Sequence, residues 1–377
     1  MKTMNDPGKS GKFVRVIAKT ALLFLVLNIL FAVWFPTTAL GKISAYNHIF
    51  PGRWRLPYGD NPERSYNLSL FNLEAMFASH ELTGSAKQAQ EFRVILIGDS
   101  SMWGFLLPPE ETLSAEINQL GASMPDGRLV RAYNLGYPVM SLTKDLLILS
   151  RALQYDPDMI VWAFTLESFP RDKQLFPELL KQNQPAVNDL IDQYQLDLEP
   201  GAAEHTDDGF LDRTIIGARR SLADLLRLQI YGSLWAATGI DQDIPVDYTP
   251  RMEDLPEDES FHDIAPPDLS PRDLSLDVLR AGINMAGDVP VLLVNEPMFI
   301  SSGENSDIRY NFYYPRWAYD DYRQILTEVS EQNGWQYQDH WQAVSNQEFT
   351  NSAVHLSPEG SAEFARQLVD SIINSGE

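Results

Sequence analysis

Two side chains far apart in the chain are of the types that together perform nucleophilic chemistry. Ser100 ends the stretch RVILIGDSS, where an aliphatic run from Val94 to Ile97 stops at Gly98 and Asp99. His355 stands in FTNSAVHLSPEG, just before the Ser357-Pro358 pair that opens a C-terminal helical stretch. A serine hydroxyl is a weak nucleophile near neutral pH unless a base lies within hydrogen-bond reach, and imidazole is the commonest such base. Each residue also has a plainer role open to it. Asp99-Ser100 is a good helix cap, and His355 can be a surface-loop histidine or one satisfied by the neighbouring cap. The elements around them decide whether the two can meet.

A continuous apolar run closed by a Gly-Asp-Ser turn reads as a strand buried on both faces, the kind found in parallel sheets. Further strands are expected at 93–97, 129–133, 159–164, 289–294 and 335–338, with helices over Glu111 to Gly121, Leu142 to Leu153, Pro315 to Asn333 and Pro358 to Ile373. Strands alternating with helices predict one doubly wound α/β domain with about five parallel strands. Ligands in such sheets bind just beyond the carboxyl ends of the strands. Ser100 follows the first strand; His355 follows the fifth and enters the last helix through a Ser cap and Pro at the first turn. Both therefore belong to one rim.

A long interruption from Pro170 to about Leu279 separates the third and fourth strands. It holds two helical patterns, Leu175 to Tyr194 and Asp212 to Trp235. The second carries Ile215, Ala218, Leu222, Leu225, Leu226, Ile230 and Leu234 on one side, and Arg213, Arg219, Arg220 and Arg227 besides. It is expected to be a lid helix with its apolar side on the core; the alternative is a helix lying on an anionic membrane surface. The acidic, Pro-rich stretch 249–275 reads as a solvated loop.

The chain of 377 residues is 44% hydrophobic, enough for one large core with a substantial insertion. Its net charge of −23 would repel a phosphate backbone, so no nucleic acid is expected as a partner. With no cysteine, disulfides and thiolate metal sites are excluded. Six scattered histidines without a close pair fit no metal-ligand spacing, and no Gly-rich phosphate loop occurs; no metal and no cofactor are expected.

The N-terminus is organised differently. Residues 14–35 are apolar apart from Arg15, Lys19, Thr20 and Asn28, and the basic residues gather at the near end. This is the length of a membrane-spanning helix, and the positive flank would stay in the cytoplasm. The expected organisation is a basic tail and single-pass anchor over 1–40 partnered by the lipid bilayer, an irregular segment over 41–91 with a short helix at Leu73 to Ser79, and an extracytoplasmic domain over 92–377 with its insertion at about 170–279. A cleaved signal peptide ending near Thr37 and Ala39 is the competing reading.

Gly98-Asp99-Ser100 after the first strand, Asn134-Leu135-Gly136 after the second, and His355 followed by Leu-Ser-Pro-Glu-Gly resemble the SGNH/GDSL hydrolase superfamily, over roughly residues 92 to 375. The chain is most similar to the membrane-anchored, extracytoplasmic members, among them cell-wall and exopolysaccharide esterases and O-acyltransferases. The resemblance implies a flavodoxin-like three-layer α/β/α fold, with Ser100 as nucleophile and His355 as base. Ser101 is the rival nucleophile, and Asp99 a residue that holds the turn.

The chain departs from the family pattern in three places. The position three before the histidine, usually an acid, is Ser352. Asn351, Ser352 or a carboxylate from elsewhere such as Asp339 would then orient His355, and Asn351 is the first choice. The backbone N–H of Ser100 would serve the oxyanion, while the family's second donor, a glycine, falls at Val139. The usual Gly-x-Asn-Asp turn is replaced by AFTLESF, leaving Thr165 as the side-chain donor. After the fourth strand, Asn295, Glu296, Arg309 and Tyr310 are expected to line a pocket for an acylated small molecule or glycan, with a loop packed by its own aromatics as the plain alternative. The function so implied is an esterase working through an acyl-serine. The alternatives are transfer of the acyl group to a glycan hydroxyl, or a degenerate glycan-binding protein on the same scaffold.

Overall fold

A computed structural model of the chain describes residues 7–34, 52–57, 73–84, 86–199, 209–238, 247–267 and 269–376, with Leu40 and Ile49. The cleavage site at Thr37 and Ala39 and most of the irregular segment 41–72 lie outside the described residues; the short helix Leu73–Ser79 is present.

Five strands, β1 (Glu91–Ile97), β2 (Leu129–Asn134), β3 (Met159–Phe164), β4 (Val291–Asn295) and β5 (Gln336–Asp339), form one sheet in the order β2-β1-β3-β4-β5. Every pairing is parallel; Leu96 sits opposite both Asn134 and Val161. This is the flavodoxin-like order, whose crossovers reverse direction between β1 and β3, the place where such sheets open a ligand crevice. β3 is as expected from its apolar run, and the other strands shift by one or two residues.

The pleat sorts the side chains into two cores. Ile95, Ile97, Ile160, Trp162 and Phe164 meet α3 (Leu142–Ala152), α4 (Leu276–Ala286) and α5 (Arg316–Asn333) on one face. Val94, Leu96, Met159, Val161 and Ala163 meet α2 (Leu113–Leu120) and α6 (Pro358–Ser375) on the other. The central strand β3 is apolar throughout because both its faces are covered, whereas the edge strand β5 is polar and largely exposed. Helix α4 was not anticipated: it emerges from the Pro-rich stretch, with Ser275 at its N-cap making no side-chain cap hydrogen bond.

The insertion departs from expectation at three points. Its first helical pattern breaks into Glu178–Gln182 and Gln184–Tyr194. The stretch expected to be a solvated loop is instead tied down: Leu255 and Phe261 are buried, and Arg251 N–H donates to the Thr350 carbonyl at 2.9 Å. Apolar residues interspersed among the acids supply the anchoring. The basic helix begins later than expected, at Arg219, and its apolar side does not pack on the core: Leu226, Ile230 and Leu234 are 62%, 61% and 57% exposed. At the N-terminus α1 (Pro7–Trp34) is one continuous helix, and its stretch Lys12–Trp34 is long and apolar enough to cross a membrane.

Candidate active site

β1 runs into a tight turn at Gly98 and Asp99, and a one-turn helix, Ser100–Trp103, follows at once. Asp99 caps it, its Oδ1 accepting the Ser101 N–H at 2.8 Å, so this carboxylate holds the turn. The turn lies against the loop after β2: a Cβ on Gly136 would come within 2.3 Å of the Trp103 nitrogen, so only glycine allows this approach. Gly98 is similarly enclosed, its Cβ direction 2.9 Å from the Ala163 carbonyl of β3. Ser100 is thereby placed at the crevice, partly exposed.

His355 comes from the opposite side. Phe349 and Leu356 form an antiparallel bridge, and Thr350 N–H donates to the His355 carbonyl at 2.9 Å, closing a tight loop. Ser357 then caps α6, with its Oγ accepting the Gly360 N–H at 3.0 Å and Pro358 at the first turn. The loop presents the imidazole to the serine: His355 Nε2 is 2.7 Å from Ser100 Oγ, and His355 Nδ1 is 2.8 Å from Asn351 Oδ1. With the hydroxyl donating to Nε2, the ring proton sits on Nδ1 and is donated to the asparagine carbonyl. Phe105 stacks on the ring at 4.7 Å between centroids.

Burial lowers the His355 pKa to about 4. No carboxylate offsets it, for Asp339 is engaged by Asn295 Nδ2 at 2.8 Å and by Arg323 Nε at 2.8 Å. The imidazole is thus neutral, and able to accept a proton, throughout the neutral range.

The other expected site residues divide. Val139 stands in the loop after β2 with φ +82°, a left-handed conformation that a β-branched residue adopts only under strain. Such strain concentrates at functional positions. Thr165 is a correction: it is fully buried, its hydroxyl bonded to the Tyr314 phenol and accepting the Glu167 N–H at 3.3 Å. It caps the turn Leu166–Ser168 and has no hydroxyl to offer a ligand.

The four residues expected to line a substrate pocket are also corrected, because all four are buried and hydrogen-bonded within the fold. Asn295 Oδ1 accepts from the Tyr319 and Tyr322 hydroxyls at 3.2 Å. The Arg309 guanidinium clamps the carbonyls of Asn311, Asp258, Phe312 and Tyr313. Tyr310 packs its ring in the core and donates its hydroxyl to the exposed Asp320 Oδ1 at 2.9 Å. Glu296 lies beneath the serine turn, accepting the Ser101 hydroxyl at 2.6 Å, so the rival serine is occupied there.

A buried charged layer below the turn went unnoticed in the sequence. Lys144, wholly buried on α3, donates to the Gly98 carbonyl at 2.8 Å and the Tyr137 carbonyl at 2.6 Å, and pairs with Asp145 at 2.7 Å. It bridges the serine turn and the loop carrying Val139. Burial raises Asp145 to about 6 and pushes Glu296 well above the usual carboxylate range, with Asp99 adding to the latter. The motif LTKDLL reads as an amphipathic helix start, and nothing in its spacing marks Lys144.

No protein-family model and no curated protein matches the sequence. Solved structures are matched at low similarity. They include a carbohydrate acetylesterase from Sinorhizobium meliloti, 11% identical over 75% of this chain and 98% of that one, with TM-score 0.33. Another is a catalytic mutant of an acetylxylan esterase from Geobacillus stearothermophilus, 13% identical over 74% and 93%, with TM-score 0.31.

Proposed function

We propose that the protein is a serine esterase, anchored in a membrane by α1, that cleaves acyl esters through an acyl-Ser100 intermediate. The observation that carries this is the hydrogen-bonded chain Ser100 Oγ, His355 Nε2, His355 Nδ1, Asn351 Oδ1, with contacts of 2.7 and 2.8 Å at its two ends. His355 accepts the Ser100 proton as Oγ attacks the ester carbonyl. The tetrahedral oxyanion is met by the backbone N–H groups of Ser100 and Val139. As the C–O bond breaks, His355 returns the proton to the departing alkoxide. Water then repeats the sequence on the acyl-serine, releasing the acid and restoring the hydroxyl.

Asn351 fixes the imidazole tautomer but supplies no negative charge to steady the imidazolium. A slow esterase is expected, since an aspartate-to-asparagine change at this place in serine proteases costs about 10⁴ in turnover. The basic residues gathered in the first half of α1 support an inside N-terminus and an outside catalytic domain. Phe312 and Tyr313, ring centroids 3.9 Å apart, lie in the loop after β4 and offer flat apolar faces suited to the acylated sugar of a glycan.

The test is hydrolysis of p-nitrophenyl acetate by the full chain in detergent. The parent is expected to turn the ester over with a burst of p-nitrophenol, and Ser100→Ala to show neither. A folded parent no faster than buffer removes the esterase reading.

A further inference from the structure

Among the described residues outside α1, the segment 209–238 combines basic side chains with exposed apolar ones, and the site does not use it. Its helix carries Arg219, Arg220 and Arg227 in a body that is otherwise strongly acidic. Its apolar side is covered at Ala218 and open further along. Leu226, Ile230 and Leu234, spaced four apart, are each more than half exposed, as are Phe210, Leu211 and Ile216 in the turns before the helix. Exposed apolar surface of this extent marks an interaction face rather than ordinary scatter.

One contact says what covers it. Asn28 of α1 is buried, with its Oδ1 accepting the Ile216 N–H at 3.3 Å and its Nδ2 donating to the Phe24 carbonyl at 2.9 Å. Ala32, one turn further on, is buried as well, while Leu22, Leu23, Leu25 and Leu30 remain exposed. A single face at the outer end of α1 thus docks against the segment. Asn28 lies six residues before Trp34, a rise of about 9 Å. Amphipathic helices that rest in a bilayer interface sink about 5–10 Å. The contact therefore sets the segment at interface depth.

We propose that residues 209–238 form a second membrane contact, with their apolar side chains among the acyl chains and the arginines at anionic headgroups. This rests on α1 crossing the bilayer. The Asn28 to Ile216 hydrogen bond gives the Asn28 amide oxygen a donor at a depth where hydrocarbon offers none. Two attachments, one spanning and one lying flat, fix the orientation of the catalytic domain over the membrane, where a single helix would leave it free to swivel.

The chain has no cysteine, so single-cysteine labelling is unambiguous. Ile230→Cys, Leu120→Cys on α2 and Phe24→Cys on α1 are labelled with an environment-sensitive fluorophore. Each full chain is then placed in vesicles of phosphatidylcholine, with or without phosphatidylglycerol and spin-labelled lipid. At position 230 the expected result is a blue shift and loss of intensity to a shallow spin label, stronger with phosphatidylglycerol and reduced by Arg219→Gln/Arg220→Gln. Position 120 should remain water-like. A water-like, unquenched probe at 230 beside a quenched one at 24 overturns this inference and leaves the anchor standing. Equal quenching at 120 and 230 also overturns it. An unquenched probe at 24 overturns the anchor itself.

Discussion

The polar loops at one sheet edge use their hydrogen bonds in two opposite ways. In the loop after β4, Arg309 spends its guanidinium on four backbone carbonyls, Tyr310 bonds Asp320, and Asn311 holds the Phe299 carbonyl at 2.9 Å and the N–H of Tyr313 at 3.0 Å. These side chains are spent on the loop itself, on the insertion at Asp258 and on α5 at Asp320. In the loops bearing Ser100 and His355, the backbone is held by Asp99, by the Phe349–Leu356 bridge and by the Ser357 cap. The reactive side chains are left to one another and to the crevice. A site is distinguished less by polar composition than by which groups the local backbone does not need.

Substitutions can sharpen or break this contrast. The largest effect is expected from His355→Ala, which should lower esterase turnover about 10³–10⁴-fold or more with little change in the denaturation midpoint. If it unfolds the protein instead, the histidine is holding the loop as Arg309 does. Lys144→Met should act on stability first. It leaves Asp145 buried without its cation, at a cost of about 3–5 kcal/mol measured by urea unfolding, and activity falls as the serine turn and the Val139 loop separate. Arg309→Met should cost about 2–4 kcal/mol of stability, from carbonyls left bare, with KM unaltered. A raised KM at parental stability would return Arg309 to the substrate.

The smallest and most informative change is Asn351→Asp. The parent's kcat/KM should stay level through the neutral range and fall only as pH drops through about 4, where the buried imidazole takes a proton. A carboxylate beside Nδ1 favours the imidazolium, so the variant's acid limb should move up toward the ordinary histidine value, with turnover rising about tenfold. An unmoved limb would mean that Asn351 does not orient the base.

The sheet and most of its helices were legible because strands buried on both faces must be continuously apolar, and because Ser357-Pro358 and Gly334 are strong stop and start signals. Ser100 and His355 stand out because each lies beside such a boundary, whereas Asn351 follows only from the family resemblance. Residues whose roles depend on distant carbonyls were misread. Arg309 and Tyr310 have the composition of a binding loop, but its path folds them inward. Lys144 has no sequence signal at all, since its partners Gly98 and Tyr137 meet it only through the packing of α3 under two turns. Thr165 stands at a strand end, where a donor was expected, but the buried Tyr314 phenol already takes its hydroxyl.

The most direct test of the central claim is covalent labelling by a fluorophosphonate, followed by peptide mass spectrometry of the full chain. The account predicts one adduct, on Ser100, that forms slowly in His355→Ala and not at all in Ser100→Ala. An adduct on Ser101 or elsewhere, or labelling of Ser100→Ala at the parental rate, would contradict it.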